Sequence, residues 1–231
     1  MAGALGRAAR TPPRKGSVVD VVWLGHSSFR LRSGDLAVVT DPYPDSLGVS
    51  MGKPHARVVT LSHKHVNHNN VGGIGGEPYV ADGPGEYELQ GVYIRGLRTP
   101  VGPTDPPEKR NTLYVIDIDG VTLCHVGDLS KPLPAAMVEA VGKIDVLLVP
   151  AGGECTINPR EVVELVAALT PRLIIPMHYA LPGLAVQLGP LEAFLKELGA
   201  PAAERMNRLV VTATNLPAEA KVVVLEQQAA R

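Results

Sequence analysis

The sequence predicts a layered α/β protein with sheets inside and helices outside. In the first half of the chain, short apolar segments alternate with turns rich in glycine and proline, which is typical of buried strands. In the second half, apolar strands alternate with segments of helical periodicity. Residues 1–17 are basic, contain Pro12-Pro13 and have no apolar stretch. We therefore expect a disordered N-terminal tail followed by a single domain over residues 18–231.

Strands are predicted in the first half wherever apolar residues run together or alternate. The predicted strands are Val18–Leu24, Phe29–Arg32, Leu36–Thr40 and Val58–Leu61, with further short strands within residues 78–96. Leu97–Lys109 contains four prolines and no apolar periodicity, which predicts a loop.

The second half predicts a hairpin and then alternating helices and strands. Asp119-Gly120 is a two-residue turn signal between strands Leu113–Ile118 and Val121–Val126. Asn158, Pro159 and Glu161 form a helix start that combines a capping box with proline at the first helical position. The other predicted elements are helices at 134–141, 159–169 and 191–198 and strands at 144–149, 173–176, 209–212 and 222–225.

The composition narrows the class of function. Apolar residues make up 45% of the chain, enough for a sizeable core, and the net charge of -1 gives no general attraction to nucleic acid. No apolar stretch approaches the roughly 20 residues that span a membrane. Cys124 and Cys155 form no CxxC motif and are interpreted as reduced thiols of a cytoplasmic protein. We expect a small-molecule substrate, and the sequence is compatible with a homo-oligomer.

A histidine cluster at Ser62–Asn70 predicts a metal site. Three of the seven histidines lie here, directly after a buried apolar strand. His63 and His65 are two residues apart, so in extended backbone both rings point to one side, and His68 can approach from the next turn. Neutral imidazole is a common zinc ligand. The alternative interpretation is a polar surface loop that is rich in histidine.

Four apolar strands end at a polar residue that can bind metal or transfer protons. These residues are Asp41, His63, Asp128 and His178. Strand ends of a rigid sheet position the loops in which active sites collect. Imidazoles combined with a carboxylate suit Zn²⁺, Mn²⁺ or Fe²⁺, and we expect one or two ions. Two adjacent metals can activate a bridging water.

The chain resembles the metallo-β-lactamase-fold hydrolases over residues 18–226, most closely the branch of ascorbate-6-phosphate lactonase-like proteins and related metal-dependent hydrolases. The resemblance rests on the segments at residues 23–27, 40–42, 62–68, 83–88, 125–128 and 176–179. It implies a four-layer αββα sandwich with metals between the sheets. It also implies that His63 and His65 hold one metal, that His68 and His178 hold a second, and that Asp128 bridges them.

Two positions depart from the family pattern. Asn67 stands where the family has an aspartate that ligates the second metal, and an amide is a weaker ligand that cannot act as a general base. The Leu97–Lys109 loop lacks the histidine that related chains use to complete the first metal's ligands. Asp105 is an alternative ligand there only if the loop folds inward.

Three further polar residues have supporting roles in this interpretation. Asp41 is expected to brace the histidine loop by hydrogen bonds rather than to bind metal. His26 either lines the pocket or bonds a backbone carbonyl. His125 lies inside a strand and is expected to support the site or fill the core.

Other candidates are given structural interpretations. His55 is expected at the surface, and Glu86 and Glu88 in a tight structural turn. Cys155 can face the pocket, but nothing near it in sequence lowers its pKa, which argues against a catalytic thiol.

The leading functional hypothesis is a metal-dependent hydrolase acting on an ester, lactone or phosphoester. A metal-bound hydroxide would attack while Asp128 orients the water, and the loss of aspartate at position 67 would lower the rate without abolishing it. One alternative is a catalytically degenerate member whose eroded site binds a ligand or partner. A nuclease of the same fold is a third hypothesis, disfavoured by the near-neutral charge.

Overall fold

The computed structural model describes residues 16–102 and 110–230. Residues 1–15 of the predicted tail and the candidate Asp105 lie outside this range. The strands are β1 Val19–Gly25, β2 Ser28–Ser33, β3 Leu36–Thr40, β4 Val58–Thr60, β5 Tyr79–Ala81, β6 Gly85–Leu89, β7 Val92–Arg98, β8 Thr112–Ile118, β9 Val121–His125, β10 Val146–Pro150, β11 Leu173–Met177, β12 Glu204–Met206, β13 Leu209–Val211 and β14 Lys221–Leu225. The α-helices are α1 Ala135–Val141, α2 Pro159–Leu169 and α3 Leu191–Glu197.

These strands form two sheets, which confirms the predicted α/β class. The first sheet has six strands in the order β13-β1-β2-β3-β4-β5, and the second has eight in the order β12-β14-β11-β10-β9-β8-β7-β6. In each sheet an antiparallel part continues into a parallel part, starting at the β3–β4 pair in the first sheet and at the β9–β10 pair in the second. Parallel pairs align the carboxyl ends of their strands, so each sheet presents several strand ends at one edge.

Burial on both faces explains why the strands have nearly continuous apolar sequences. In β1, Val21 and Trp23 belong to the large core that also contains residues of the second sheet. Val22 and Leu24 alternate with them and belong to a separate apolar cluster on the other face. A strand buried on both sides does not alternate apolar with polar residues.

The outer layers of the sandwich are built differently on its two sides. Helix α2 buries Val162, Leu165 and Leu169 in the core of the second sheet. Over the outer face of the first sheet, the described residues form loops with two short 3-10 turns, Asp45–Leu47 and Val71–Gly73. Side chains from these loops, including Tyr43, Leu47, Met51 and Ile74, complete the second apolar cluster.

The two strongest local sequence signals, the capping box and the two-residue hairpin turn, correctly predicted the structure at their positions. The Asn158–Glu161 capping box of α2 is present in both directions. Asp119 and Gly120 both have positive φ, at 47° and 80°, as a type I′ hairpin requires. The predicted turn containing Glu86 and Glu88 is wrong, because Gly85–Leu89 is an edge strand paired antiparallel with β7. Strand β12 was not predicted, and β7 extends to Arg98, into the predicted loop.

No helix in the described ranges is long and apolar enough to cross a membrane.

Candidate metal centre

The candidate metal centre lies where strand ends of both sheets meet. Strands β1 and β3 are each antiparallel to β2 and therefore parallel to each other, and β4 runs parallel to β3. Their carboxyl ends carry His26, Asp41 and the loop that begins at His63. Strands β9 and β11 both run parallel to β10, and they lead to Asp128 and His178. The topology thus explains why residues far apart in sequence converge.

Asp128 is at the centre of the cluster. Its Oδ2 lies 3.4 Å from His68 Nε2 and 3.8 Å from His63 Nε2, and its Oδ1 lies 3.5 Å from His178 Nε2. One carboxylate therefore faces three imidazole nitrogens contributed by both sheets. This is the arrangement that the predicted bridging role of Asp128 requires.

Three overlapping groups of side chains are close enough to share an ion. They are His63, His65 and His68; His26, His68 and His178; and Asp128, Cys155 and His178, with the donor atoms of each group within 4.8 Å of one another. All five predicted ligands are in these groups, and their role as ligands stays a prediction. His26 and Cys155 join them although the sequence did not indicate either as a ligand.

Asp41 makes the contacts expected of a bracing acid. It is fully buried; its Oδ1 accepts a hydrogen bond from the Ser62 N–H at 2.7 Å, and its Oδ2 accepts one from the Ser62 hydroxyl at 2.5 Å. The same Oδ2 lies 3.1 Å from His68 Nδ1. A carboxylate on Nδ1 fixes the ring so that Nε2 is directed at the metal position.

Hydrogen bonds also select a tautomer at His63 and His65. The Ser62 hydroxyl has one proton, which it donates to Asp41, so its oxygen accepts from His63 Nδ1 at 2.9 Å. This leaves the Nε2 lone pair of His63 available to a metal. At His65, Nδ1 accepts from the Asn67 N–H at 3.3 Å, so the neutral ring carries its proton on Nε2.

The charges in the cluster favour neutral imidazoles beside ionised carboxylates. Burial and then the neighbouring His68 lower the pKa of His63, and burial lowers the pKa of His178. Burial alone would raise the pKa of Asp128, but His178, His68 and His63 outweigh it and hold that pKa well below its usual range.

His68 differs from the other histidines of the cluster. Burial disfavours its charge, but Asp128 and Asp41 outweigh that effect and raise its pKa. Protonation of His68 therefore competes with metal binding at this ring. The lowered pKa values of Asp41 and Asp128 keep both carboxylates ionised, and their negative charge favours a cation.

Three residues of the cluster have strained backbone conformations. His26, Asp41 and His178 have φ angles of 48°, 38° and 51°, in the left-handed region that few non-glycine residues adopt. Each such conformation costs about 1–3 kcal/mol and is concentrated at functional sites. The His178 N–H donates to the His26 carbonyl at 3.0 Å, which connects the two sheets at this point.

Asn111, which the sequence analysis missed, holds the backbone of Asp128. Its Oδ1 accepts from the Asp128 N–H at 3.0 Å, and its Nδ2 donates to the Val126 carbonyl at 2.9 Å. A Cβ at Gly127 would lie 2.3 Å from Asn111 Oδ1, and its φ is 58°, so this turn requires glycine. Asn111 follows a proline-rich loop, and no sequence signal separates a buried asparagine there from an exposed one.

A cavity of about 290 Å³ opens over the cluster. Its wall includes Asn67, Cys155, Val186 and Leu188 in addition to the histidines and Asp128. The segment containing Val186 and Leu188 was not predicted to contribute.

His125 and His55 lie outside this cavity wall. His125 is fully buried, and its Nε2 lies 2.8 Å from the Ser27 carbonyl oxygen, which is a supporting contact next to His26. His55 is exposed, as expected.

The two-sheet fold and the histidine–aspartate cluster define the class of protein. A family model described as a β-lactamase superfamily domain matches residues 20–178, so the chain belongs to the metallo-β-lactamase superfamily. A UPF0173 protein of Pyrococcus furiosus is 31% identical over 201 residues, which cover 77% of this chain and 90% of that protein. A UPF0173 metal-dependent hydrolase of the same organism is 30% identical, with 70% and 85% covered.

A solved structure from Thermotoga maritima is similar over almost the whole chain. It is described as a proposed Zn-dependent hydrolase of the same superfamily and is 37% identical in sequence. The TM-score is 0.75, with 91% of this chain and 100% of that chain covered.

Proposed function

We propose that this protein is a metal-dependent hydrolase that cleaves an ester, lactone or phosphoester bond in a small molecule. The observation that carries the proposal is the position of Asp128, whose carboxylate faces His63, His68 and His178 from two sheets. The names of the Pyrococcus and Thermotoga relatives support the same class of reaction.

The donor atoms of the cluster fit a first-row transition metal such as Zn²⁺, Mn²⁺ or Fe²⁺. Imidazole nitrogen and carboxylate oxygen are the ligands that such ions use in hydrolases. Asp128 Oδ1 and both ring nitrogens of His26 are buried without a hydrogen-bond partner among the described residues. His63, His68, Asp128 and His178 would hold such an ion, which would supply Lewis acidity by lowering the pKa of water towards about 7 and polarising a substrate oxygen.

The protein's own residues would orient the reactants. The Asp128 carboxylate can accept a hydrogen bond from the attacking water, and its low pKa keeps it ionised at neutral pH. Asp41 holds the His68 ring through Nδ1, so the ring cannot rotate away. Asn67 lines the cavity, where its amide can donate a hydrogen bond to substrate but cannot accept a proton as an aspartate would.

The cavity favours a small substrate. Its volume of about 290 Å³ is near the lower limit for ligand pockets, and Val186 and Leu188 give part of its wall an apolar surface. With a net charge of -1, the chain has no general attraction to a polyanion, so we propose a small molecule rather than nucleic acid.

The test combines metal content with hydrolysis. Protein purified without chelator is analysed by mass spectrometry for zinc, manganese and iron, and then assayed on aryl esters, lactones and phosphodiesters. We expect at least about one equivalent of metal and metal-dependent turnover. The variant His63→Ala/His178→Ala should lose both.

His55→Ala is the matched control, because it removes an exposed histidine outside the cavity. It should retain metal and activity. Metal bound without hydrolysis of any substrate class would favour the degenerate binding protein. Absence of metal in the wild type, even after reloading, would exclude the hydrolase proposal.

A further inference from the structure

The buried imidazole of His26 has no hydrogen-bond partner within residues 16–102 and 110–230. Only 1% of the residue is exposed, and neither Nδ1 nor Nε2 has a partner among the described residues. Leaving a buried polar atom unpaired costs about 1–3 kcal/mol, so native proteins rarely do so without a reason. His26 therefore requires an explanation that packing does not supply.

The ring of His26 lies among the predicted ligands of the second metal. Its centroid is 4.4 Å from that of His178 and 4.8 Å from that of His68. One donor nitrogen from each of the three rings can be chosen so that all lie within 4.8 Å of one another. Asp128 borders this group, with its Oδ2 3.4 Å from His68 Nε2 and its Oδ1 3.5 Å from His178 Nε2.

The backbone holds His26 in this position at a cost. Its φ of 48° is strained, and its carbonyl accepts hydrogen bonds from Trp23 Nε1 and from the His178 N–H, each at 3.0 Å. The second of these bonds connects the main chains of His26 and His178, which lie at strand ends of opposite sheets. A strained residue that its surroundings hold in place indicates a functional constraint.

We infer that His26 is a metal ligand, which together with His68 and His178 forms a three-imidazole site beside Asp128. This inference rests on the metal centre of the proposed function and adds a ligand to it. His26 adds a donor to a site that has Asn67 where the family has an aspartate. Three imidazoles are a ligand set that Zn²⁺ uses in catalytic sites, and they leave a further position for water or substrate.

The test measures zinc affinity, not turnover. Apoprotein of the wild type and of His26→Asn competes with a chromophoric chelator for zinc. Asparagine tolerates positive φ and removes the imidazole, so the backbone is preserved. We expect zinc to bind about 100-fold more weakly or worse, because even partners that only orient a ligand are worth 10–100-fold. His55→Asn is the control and should retain wild-type affinity.

Two spectroscopic measurements address the ligand directly. The visible ligand-field spectrum of the Co²⁺-loaded protein should change in His26→Asn, since one nitrogen donor is replaced. In His26→Gly, which accepts positive φ and leaves a cavity, free imidazole should restore zinc affinity and the spectrum. Imidazole-nitrogen NMR of the wild type requires no variant, and the His26 ring resonances should shift with those of His68 and His178 on addition of zinc.

The outcomes separate this inference from the proposed function. If His26→Asn binds zinc as the wild type does and the His26 resonances do not move, His26 is not a ligand, while the hydrolase proposal stands. A wild-type protein that binds no metal overturns both. Weaker zinc binding with imidazole rescue supports the inference even if no substrate is found.

Discussion

The candidate centre has a buried half and an exposed half that are supported very differently. His26, His68 and His178 are each at most 2% exposed, and Asp41 and the bond between the His178 N–H and the His26 carbonyl hold this buried half in place. In the exposed half, His63 is partly exposed and His65 is exposed.

His65 and His68 differ in whether their rings are arranged for metal binding, whereas His63 is arranged through its contact with Ser62. The hydrogen bond from the Asn67 N–H to His65 Nδ1 leaves the proton of the neutral ring on Nε2. By contrast, Asp41 on Nδ1 directs His68 Nε2 towards Asp128. Histidines that are close in sequence can therefore differ in how well hydrogen bonds orient them to bind a metal. We expect the buried half to retain an ion more tightly than the exposed half.

The largest effect is expected for Asp128→Asn, because this residue serves both halves. The substitution removes the negative charge that faces three imidazoles. Zinc affinity should fall by more than about 100-fold, since losing only an orienting group costs 10–100-fold. Chelator competition on the apoprotein measures it. A variant that keeps a tightly bound ion would contradict the central position of Asp128.

The paired variants His68→Asn and His65→Asn test the comparison directly. His68 is buried and braced, whereas His65 is exposed and its ring is not arranged for metal binding. We expect His68→Asn to weaken zinc binding at least about 10-fold more than His65→Asn does. Isothermal titration of both apoproteins gives the ratio. Equal losses of zinc affinity would show that neither burial nor the hydrogen bond to Asp41 determines how strongly a histidine of this cluster contributes to metal binding.

Asp41→Asn should weaken metal binding without removing a ligand. An asparagine has one acceptor oxygen. Either the Ser62 N–H, which bonds Oδ1, loses its acceptor, or the Ser62 hydroxyl and His68 Nδ1, which both bond Oδ2, lose theirs. We expect a loss of about 10–100-fold in zinc affinity. Asp45→Asn, an exposed acid in the same loop, is the control and should change neither affinity nor stability. Unchanged zinc affinity in Asp41→Asn would show that the hydrogen bond from His68 to Asp41 does not contribute to metal binding.

Two glycine variants give the smallest expected effect and separate crowding from backbone strain. Gly127 and Gly153 have similar φ angles of 58° and 64°, but a Cβ at Gly127 meets Asn111 and Ser62, whereas one at Gly153 meets no atom within 4 Å. Gly153→Ala should cost about 1 kcal/mol and lower Tm by about 2–4 °C. Gly127→Ala should lower it by about twice that or more. Equal decreases in Tm for the two variants would mean that the Asn111 side chain can move away from a Cβ at position 127 and does not hold Asp128 in place.

Sequence patterns predicted the fold where one local signal dominates. Strands such as β3 and β10 are continuous apolar runs because both faces are covered, and the capping box of α2 is a local interaction. Strand β12 consists of Glu204, Arg205 and Met206, which have no apolar pattern, and only its pairing with β14 makes it a strand. At β6, Pro84 and the flanking glycines indicated a turn, but edge pairing with β7 outweighed them.

The candidate site was predictable to the extent that it depends on strand ends. His63, Asp128 and His178 follow apolar strands directly, so their convergence follows from parallel pairing. Asn111, Cys155 and Val186 reach the cavity through loops, whose paths no local pattern specifies. The sequence also did not indicate His26 as a ligand, since only the fold shows that neither ring nitrogen has a partner in the described part of the chain.

The hydrogen bond from the His178 amide to the His26 carbonyl has a consequence for how the protein opens. Most strand amides exchange with solvent only when their own sheet frays, but this amide is protected by an acceptor on the opposite sheet. Its deuterium uptake therefore reports separation of the two sheets. If an ion joins the same two residues through their rings, its loss and the opening of the sandwich become one coupled event, and chelation should accelerate exchange at His178 more than at the ladder amides of β11.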